Sequence, residues 1–488
     1  MRRSFRSAFF IANLKSTSNF HLAGLIGWKT AYWVQKRTRA VIWRMNRVNK
    51  PTLILVMLLA VGSASLFAQE LPRPSMARHE AVTALPSDYN MKVGPVLLNT
   101  NASLEGEYVS NIGLSSTNQL SDFIITPQVG VTASWPVTAT NTLRFSTSVG
   151  YSKYLIHPQY DTSNILVAPD SELSFDVYVG DFKINFHDQF SVQQDPASIG
   201  SINNVVNFNR IQNVAGIGVL WDLNKLILSF NYDYIDFIST NLQALGGATL
   251  SDPGNIDYSA HQVSAAASYR VTSTVVTGVE VAASLRNYDQ YGIQDNQLST
   301  GPFLRVEVTP NFKVSAGAGY QEISTGSGSL TFAQTQIPNM VNPVLGVGTY
   351  NSWYGNLTFD HRLNANYTDR LALGHELELN VFSQISDVYY VSYTSSWKVN
   401  SFLNLAFTIN YEDTTSPSQT ITYSNSTFDA LTAGVQANFP ITKSISGAIL
   451  YQFQDNFGGT APTTVPGVPT TSPGYTQQRV GMILNYHF

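Results

Sequence analysis

The chain of 488 residues contains no cysteine. That excludes disulfides, thiolate metal sites and cysteine nucleophiles, and it suits an exported protein. Acidic residues are missing altogether from the first 68 positions, which hold 11 of the 28 lysines and arginines. The other 17 bases face all 32 acids, so the remainder carries −15 against −4 for the whole chain. A chain of that balance offers no basic patch for nucleic acid. Beyond residue 68 nothing approaches the ~18 consecutive apolar residues of a membrane-spanning helix, which leaves a soluble fold or a barrel. Catalytic signatures are lacking too. His157, His187, His261, His361, His375 and His487 form no His-x-x-x-His or comparable cluster. Nor does the sequence contain a Gly-x-Ser-x-Gly elbow, a phosphate loop or an EF-hand loop. The expectation is a protein that is not an enzyme, with no catalytic residue, no metal and no cofactor.

The acid-free segment is chemically distinct from the rest of the chain. Met45 to Lys50 is a short basic region, Leu53 to Phe67 an apolar run, and Ala68 a small residue where cleavage could fall. This is the layout of a secretory signal peptide over 45–68, with 1–44 an upstream extension outside the mature protein. The alternative is a targeting peptide or membrane anchor with Trp28, Trp33 and Trp43 at an interface, although a run of roughly 15 is short for a spanning helix. Residues 69–91 have neither helical nor strand periodicity and read as a periplasmic lead-in.

From there alternation hardly stops. Leu403, Leu405, Phe407, Ile409 and Tyr411 share one parity against Asn404, Thr408, Asn410 and Glu412. The same period of two recurs near 96–109, 122–135, 142–154, 172–180, 182–193, 205–221, 225–237, 258–271, 274–287, 299–308, 311–322, 351–363, 370–383, 388–398, 401–412, 427–439, 443–454 and 475–488. That is about eighteen strands, with sixteen an alternative. Connections alternate short and long, the one near 384–387 being short where a long one is due. The longest, near 323–350, is apolar enough to fold into the barrel mouth and restrict it, the alternative being a hairpin that extends its strands above the membrane. Val480, Met482, Leu484, Tyr486 and Phe488 give the last strand an apolar face that ends on an aromatic residue. Trp135, Trp221, Tyr269, Trp397 and Phe439 share that parity just before short turns, and Tyr108, Tyr151, Phe190, Tyr234, Trp353, Tyr411 and Tyr451 lie near the long ones. Two such girdles are what a barrel crossing a bilayer requires.

The whole pattern resembles bacterial outer-membrane porin-type barrels. Phe175 to Asp188 and Gly218 to Lys225 are similar to a loosely defined group called putative β-barrel porin 2. The resemblance implies an all-β fold, a transmembrane antiparallel up-and-down barrel over 92–488, in the cell outer membrane of a Gram-negative bacterium. It implies outer-membrane lipid and the barrel-assembly machinery as partners, with Tyr486 and Phe488 as the assembly signal. Some members of the group are associated with exopolysaccharide export.

The polar parity supplies candidate lumen-lining residues: Arg144, Lys183, Arg210, Asp233, Glu280, Arg286, Arg305, Glu307, Lys313, Asp360, Arg362, Glu376 and Glu378, with Glu105, Glu107, Asp176, His187, Lys398 and Arg479 beside them. Both signs occur among many amides and hydroxyls, which suits a water-filled passage for small polar solutes without a strong ion filter. Opposite charges are expected to pair across neighbouring strands, as Glu280 and Arg305 would. The alternative function is export of a polysaccharide or a structural, surface-binding role. A homo-oligomer is compatible with either.

Overall fold

The computed structural model describes residues 89–488 except 163, 196–204, 246–248, 252–255, 290–292, 327–347, 380–384, 417–425, 458, 461–470 and 473. The expected extension and signal peptide, and nearly all of the lead-in, lie outside the described residues. Eighteen long strands succeed one another: β1 Val96–Val109, β2 Asp122–Pro136, β3 Thr142–Gly150, β4 Glu172–Val179, β5 Phe182–Gln193, β6 Val205–Leu223, β7 Leu226–Ala244, β8 Tyr258–Arg270 and β9 Val275–Tyr288; then β10 Gln294–Thr309, β11 Phe312–Thr325, β12 Gly348–Asn364, β13 Tyr367–Leu379, β14 Ile385–Lys398, β15 Asn404–Ser416, β16 Ser426–Pro440, β17 Ile445–Asn456 and β18 Tyr475–His487. Each is antiparallel to its neighbours. The sheet closes where β18 meets β1, from Asn101 opposite His487 to Val109 opposite Arg479. Closure leaves no free edge for hydrocarbon to contact.

Alternation fixes which face points out. In β18, Val480, Met482, Leu484 and Tyr486 are exposed while Gln477 on the other parity is 2% exposed. Trp135, Tyr269, Trp397 and Phe488 project outward at one rim, and Tyr151, Phe190, Tyr234 and Trp353 at the other. Phe182 and Trp221 stack with ring centroids 5.0 Å apart. These residues bound an apolar belt, and the barrel resides in the outer membrane with that belt in lipid.

The short turns are wound by local side-chain chemistry. Thr138 Oγ1 accepts from the Asn141 amide, Asn400 Oδ1 from the Phe402 and Leu403 amides, and Thr442 Oγ1 from the Ile445 amide. Gly180 and Asn224 take positive φ at the tips of the β4–β5 and β6–β7 turns, where glycine and asparagine are least strained. Pro136 and Pro440 end their strands, as a residue without an N–H should.

The strand expected over 142–154 runs over Thr142–Gly150 and, after an interruption at Tyr151 and Ser152, resumes at Lys153 and Tyr154, which pair with Ile125 and Ile124 of β2 in the same register. The apolar centre of the long connection near 323–350 lies outside the described residues. A different set of loops is folded against the mouth. Ile112 and Leu120, between β1 and β2, join Tyr154, Tyr160 and Val206 in one buried cluster that also includes Leu245. Asn207 Nδ2 donates to the Tyr160 carbonyl and Gln243 Nε2 to that of Gln159, tying the β3–β4 connection to β6 and β7. In the same connection Lys153 pairs with Asp161, whose hydrogen bond raises the lysine pKa above its ordinary value.

Candidate functional site: the barrel interior

The inward face is polar and its groups are matched to one another. On β3 to β5, Asp176 lies 3.3 Å from Arg144 and 3.5 Å from Lys183, and it accepts from Asn185. Asn185 in turn contacts His187 Nδ1, and His187 Nε2 reaches Asp233 Oδ1 at 2.8 Å. That last contact passes over a whole strand, because His187 and Asp233 are each opposite Gly216 of β6. A side chain at Gly216 would occupy the space the pair uses.

The same device recurs on the other side. Tyr354 of β12 lies across Gly319 and Gly301 and donates to Glu280 Oε1 of β9 at 2.9 Å. Glycines thus let long side chains lie flat along the wall and leave the interior less obstructed. Glu280 is therefore bonded to Tyr354 and not, as expected, to Arg305, whose guanidinium sits 5.3 Å from the Phe303 ring.

The remaining candidates fall into two groups. Near the short turns, Lys313 contacts Glu307, Asp360 contacts Arg370, and Arg305 and Arg362 are exposed. Near the long loops the charges are covered. Arg210 is 5% exposed and donates to Gln193 Oε1 and to the Asp195 and Phe208 carbonyls. Arg286 is 8% exposed, with its guanidinium 4.5 Å from the Tyr258 ring and Nη1 3.2 Å from the Tyr288 hydroxyl. Arg479 of β18 pairs with Asp195, five strands away around the wall, and lies 3.9 Å from Glu107. Parity put Arg210, Glu280 and Arg286 on the inner face, but only the fold shows that other side chains cover them.

Sequence reasoning missed the β13–β14 hairpin. Glu376 and Glu378 keep inward parity and are half-buried. Their neighbours Leu377 and Ile385 have outward parity, yet both are buried in a cluster with Ile323 of the inner face of β11. Leu377 and Ile385 have thus folded inside the cylinder. Gln321 holds Leu377 there, with Nε2 donating to the Leu377 carbonyl at 2.7 Å and Oε1 accepting from the Leu377 amide at 2.9 Å. The unexpectedly short connection near 384–387 was the visible signal, since a short outer hairpin has no long loop to hold it upright in water.

An eighteen-strand closed barrel with an aromatic-edged apolar belt and a polar interior is an outer-membrane β-barrel. Residues 89–325 match the family model described as Putative beta-barrel porin 2. No curated protein matches the chain in sequence. Among solved structures it is similar to OccK5 (OpdH) of Pseudomonas aeruginosa, at 11% identity over 80% of this chain and 98% of that one, with a TM-score of 0.42. OpdK of Pseudomonas aeruginosa, crystallised with vanillate, matches at 8% identity over 80% and 98% of the two chains, with a TM-score of 0.40. A loop L8 deletion mutant of OmpT, an outer membrane protein of Vibrio cholerae, matches at 10% identity over 81% and 100%, with a TM-score of 0.37.

Proposed function

We propose that the protein is a passive diffusion channel for small polar solutes and is not an enzyme. The observation that carries this reading is the inner wall itself. Arg144, Lys183, Asp233, Arg305, Glu307, Lys313, Asp360, Arg362, Glu376 and Glu378 lie on the inward parity, and the partners of several neutralise them in place. Paired charges interspersed with amides offer passing solutes hydrogen bonds without a net field to trap either sign. Arg210, Glu280 and Arg286, being covered, brace that wall. Eighteen strands enclose an interior wide enough for water unless a segment fills it.

Refolded protein in a planar bilayer should give discrete single-channel conductance, and proteoliposomes should swell in small neutral sugars. A correctly folded barrel without conductance or swelling would refute the channel. Loss of an extracellular polysaccharide on deletion of the gene would then favour the export reading.

A further inference from the structure

Ordinary barrel ladders run to the ends of both strands, and those flanking β12 and β13 do. β11 pairs with β12 up to Thr325 opposite Gly348, and β13 with β14 up to Leu379 opposite Ile385. The ladder between β12 and β13 stops short, at Gly355 opposite His375. Above that point residues 348–354 have no strand partner on their β13 side among the described residues. In the continuing register Glu376 would lie opposite Tyr354 and Leu377 opposite Trp353, but that stretch has left the wall.

Where it has gone is clear from three contacts. Gln321 takes the place of a strand, bonding both backbone groups of Leu377. Leu377 and Ile385 fill an apolar site against Ile323 that the wall alone would leave open to water. Arg286, four strands away on β9, has Nη2 3.5 Å from the Leu379 carbonyl. At the vacated place on the outer surface, the Trp353 ring leans over His375 with centroids 4.2 Å apart, and the Tyr389 ring lies 4.3 Å from His375.

The geometry points to Leu377–Leu379 of β13 and Ile385 of β14 as the constriction that sets the size of solute admitted, with Gln321 as the positioning residue that clamps them inward. This rests on the channel reading above. The hairpin has two places to satisfy its backbone: the Gln321 amide inside, or the waiting edge of β12 in the wall. Moving from the first to the second widens the passage by the thickness of the hairpin. Both states keep Leu377 hydrogen-bonded, so the exchange needs no unpaired buried group. The apolar site at Ile323 favours the inward state.

The absence of cysteine makes the test clean. Ile323→Cys with Leu377→Cys should cross-link the inward state on oxidation and leave single-channel conductance at the wild-type value. Trp353→Cys with Leu377→Cys should cross-link the outward state and raise conductance, and reduction should restore the wild-type value. Gln321→Ala, which leaves both cysteine sites native, should raise mean conductance or add a second, higher level and speed the entry of larger sugars. A folded barrel in which the Trp353–Leu377 pair does not cross-link, or cross-links with no change in conductance, would overturn the proposal, as would a Gln321→Ala channel identical to wild type. Absence of conductance in the wild type itself would instead refute the channel reading.

Discussion

Gly216 offers a sharp test of how the inner wall is held together. A Cβ there would lie 2.2 Å from Asp233 Oδ1, 2.6 Å from His187 Nε2 and 2.6 Å from the Tyr232 carbonyl oxygen. The two side chains could rotate away only by giving up their 2.8 Å bond, and the carbonyl belongs to the neighbouring strand and cannot move without disturbing the ladder. Loss of a hydrogen bond to a charged group costs about 1.5–3 kcal/mol. Forcing extra atoms into a packed site costs about 1–3 kcal/mol. Gly216→Ala should therefore destabilise the barrel by about 2.5–6 kcal/mol, read as a fall in the urea midpoint of protein refolded into vesicles and followed by heat-modifiable gel mobility. In a His187→Ala background the bond is already absent, so the same substitution should retain only the crowding against Tyr232. The two effects should be non-additive by about 1.5–3 kcal/mol, as expected for residues sharing one contact. Gly216→Ala at the wild-type midpoint, or with equal cost in both backgrounds, would refute the reasoning.

Other outcomes depend on the depth of residues in the wall. Leu405 pairs with Trp397 at the short-turn rim, whereas Ile409 lies four residues further into the belt. Ile409→Arg should cost about 2–4 kcal/mol and Leu405→Arg only about 0–1, measured by vesicle refolding; equal costs would contradict the depth assigned to β15. Deletion of Phe488, whose amide donates to the Thr100 carbonyl at 3.3 Å and whose ring meets Tyr486 edge-on, should lower heat-modifiable protein in the outer membrane more than it lowers export. Normal assembly of the truncated chain would count against an assembly role for Tyr486 and Phe488. Mass spectrometry of outer-membrane fractions should find no peptide from residues 1–68, and recovery of peptides from 1–44 would reject the signal-peptide reading.

The sequence by itself determined where the strands run, a count of about eighteen with sixteen left open, and the parity of each residue. This was possible because the period of two is local: slipping β15 by one residue would put Ile409 inside and Asn410 in lipid, so the hydrophobic pattern allows one solution. Parity says nothing about contacts that skip a strand. Charge and parity paired Glu280 with Arg305, yet it meets Tyr354, 74 positions away, because Gly301 and Gly319 clear the space between them. Nor does parity say whether a strand stays on the cylinder. Leu377 and Ile385 alternate as lipid-facing residues should, and only the tertiary structure places them inside, because Gln321 and Ile323 on a strand two away supply the hydrogen bonds and apolar cover that the wall would otherwise give.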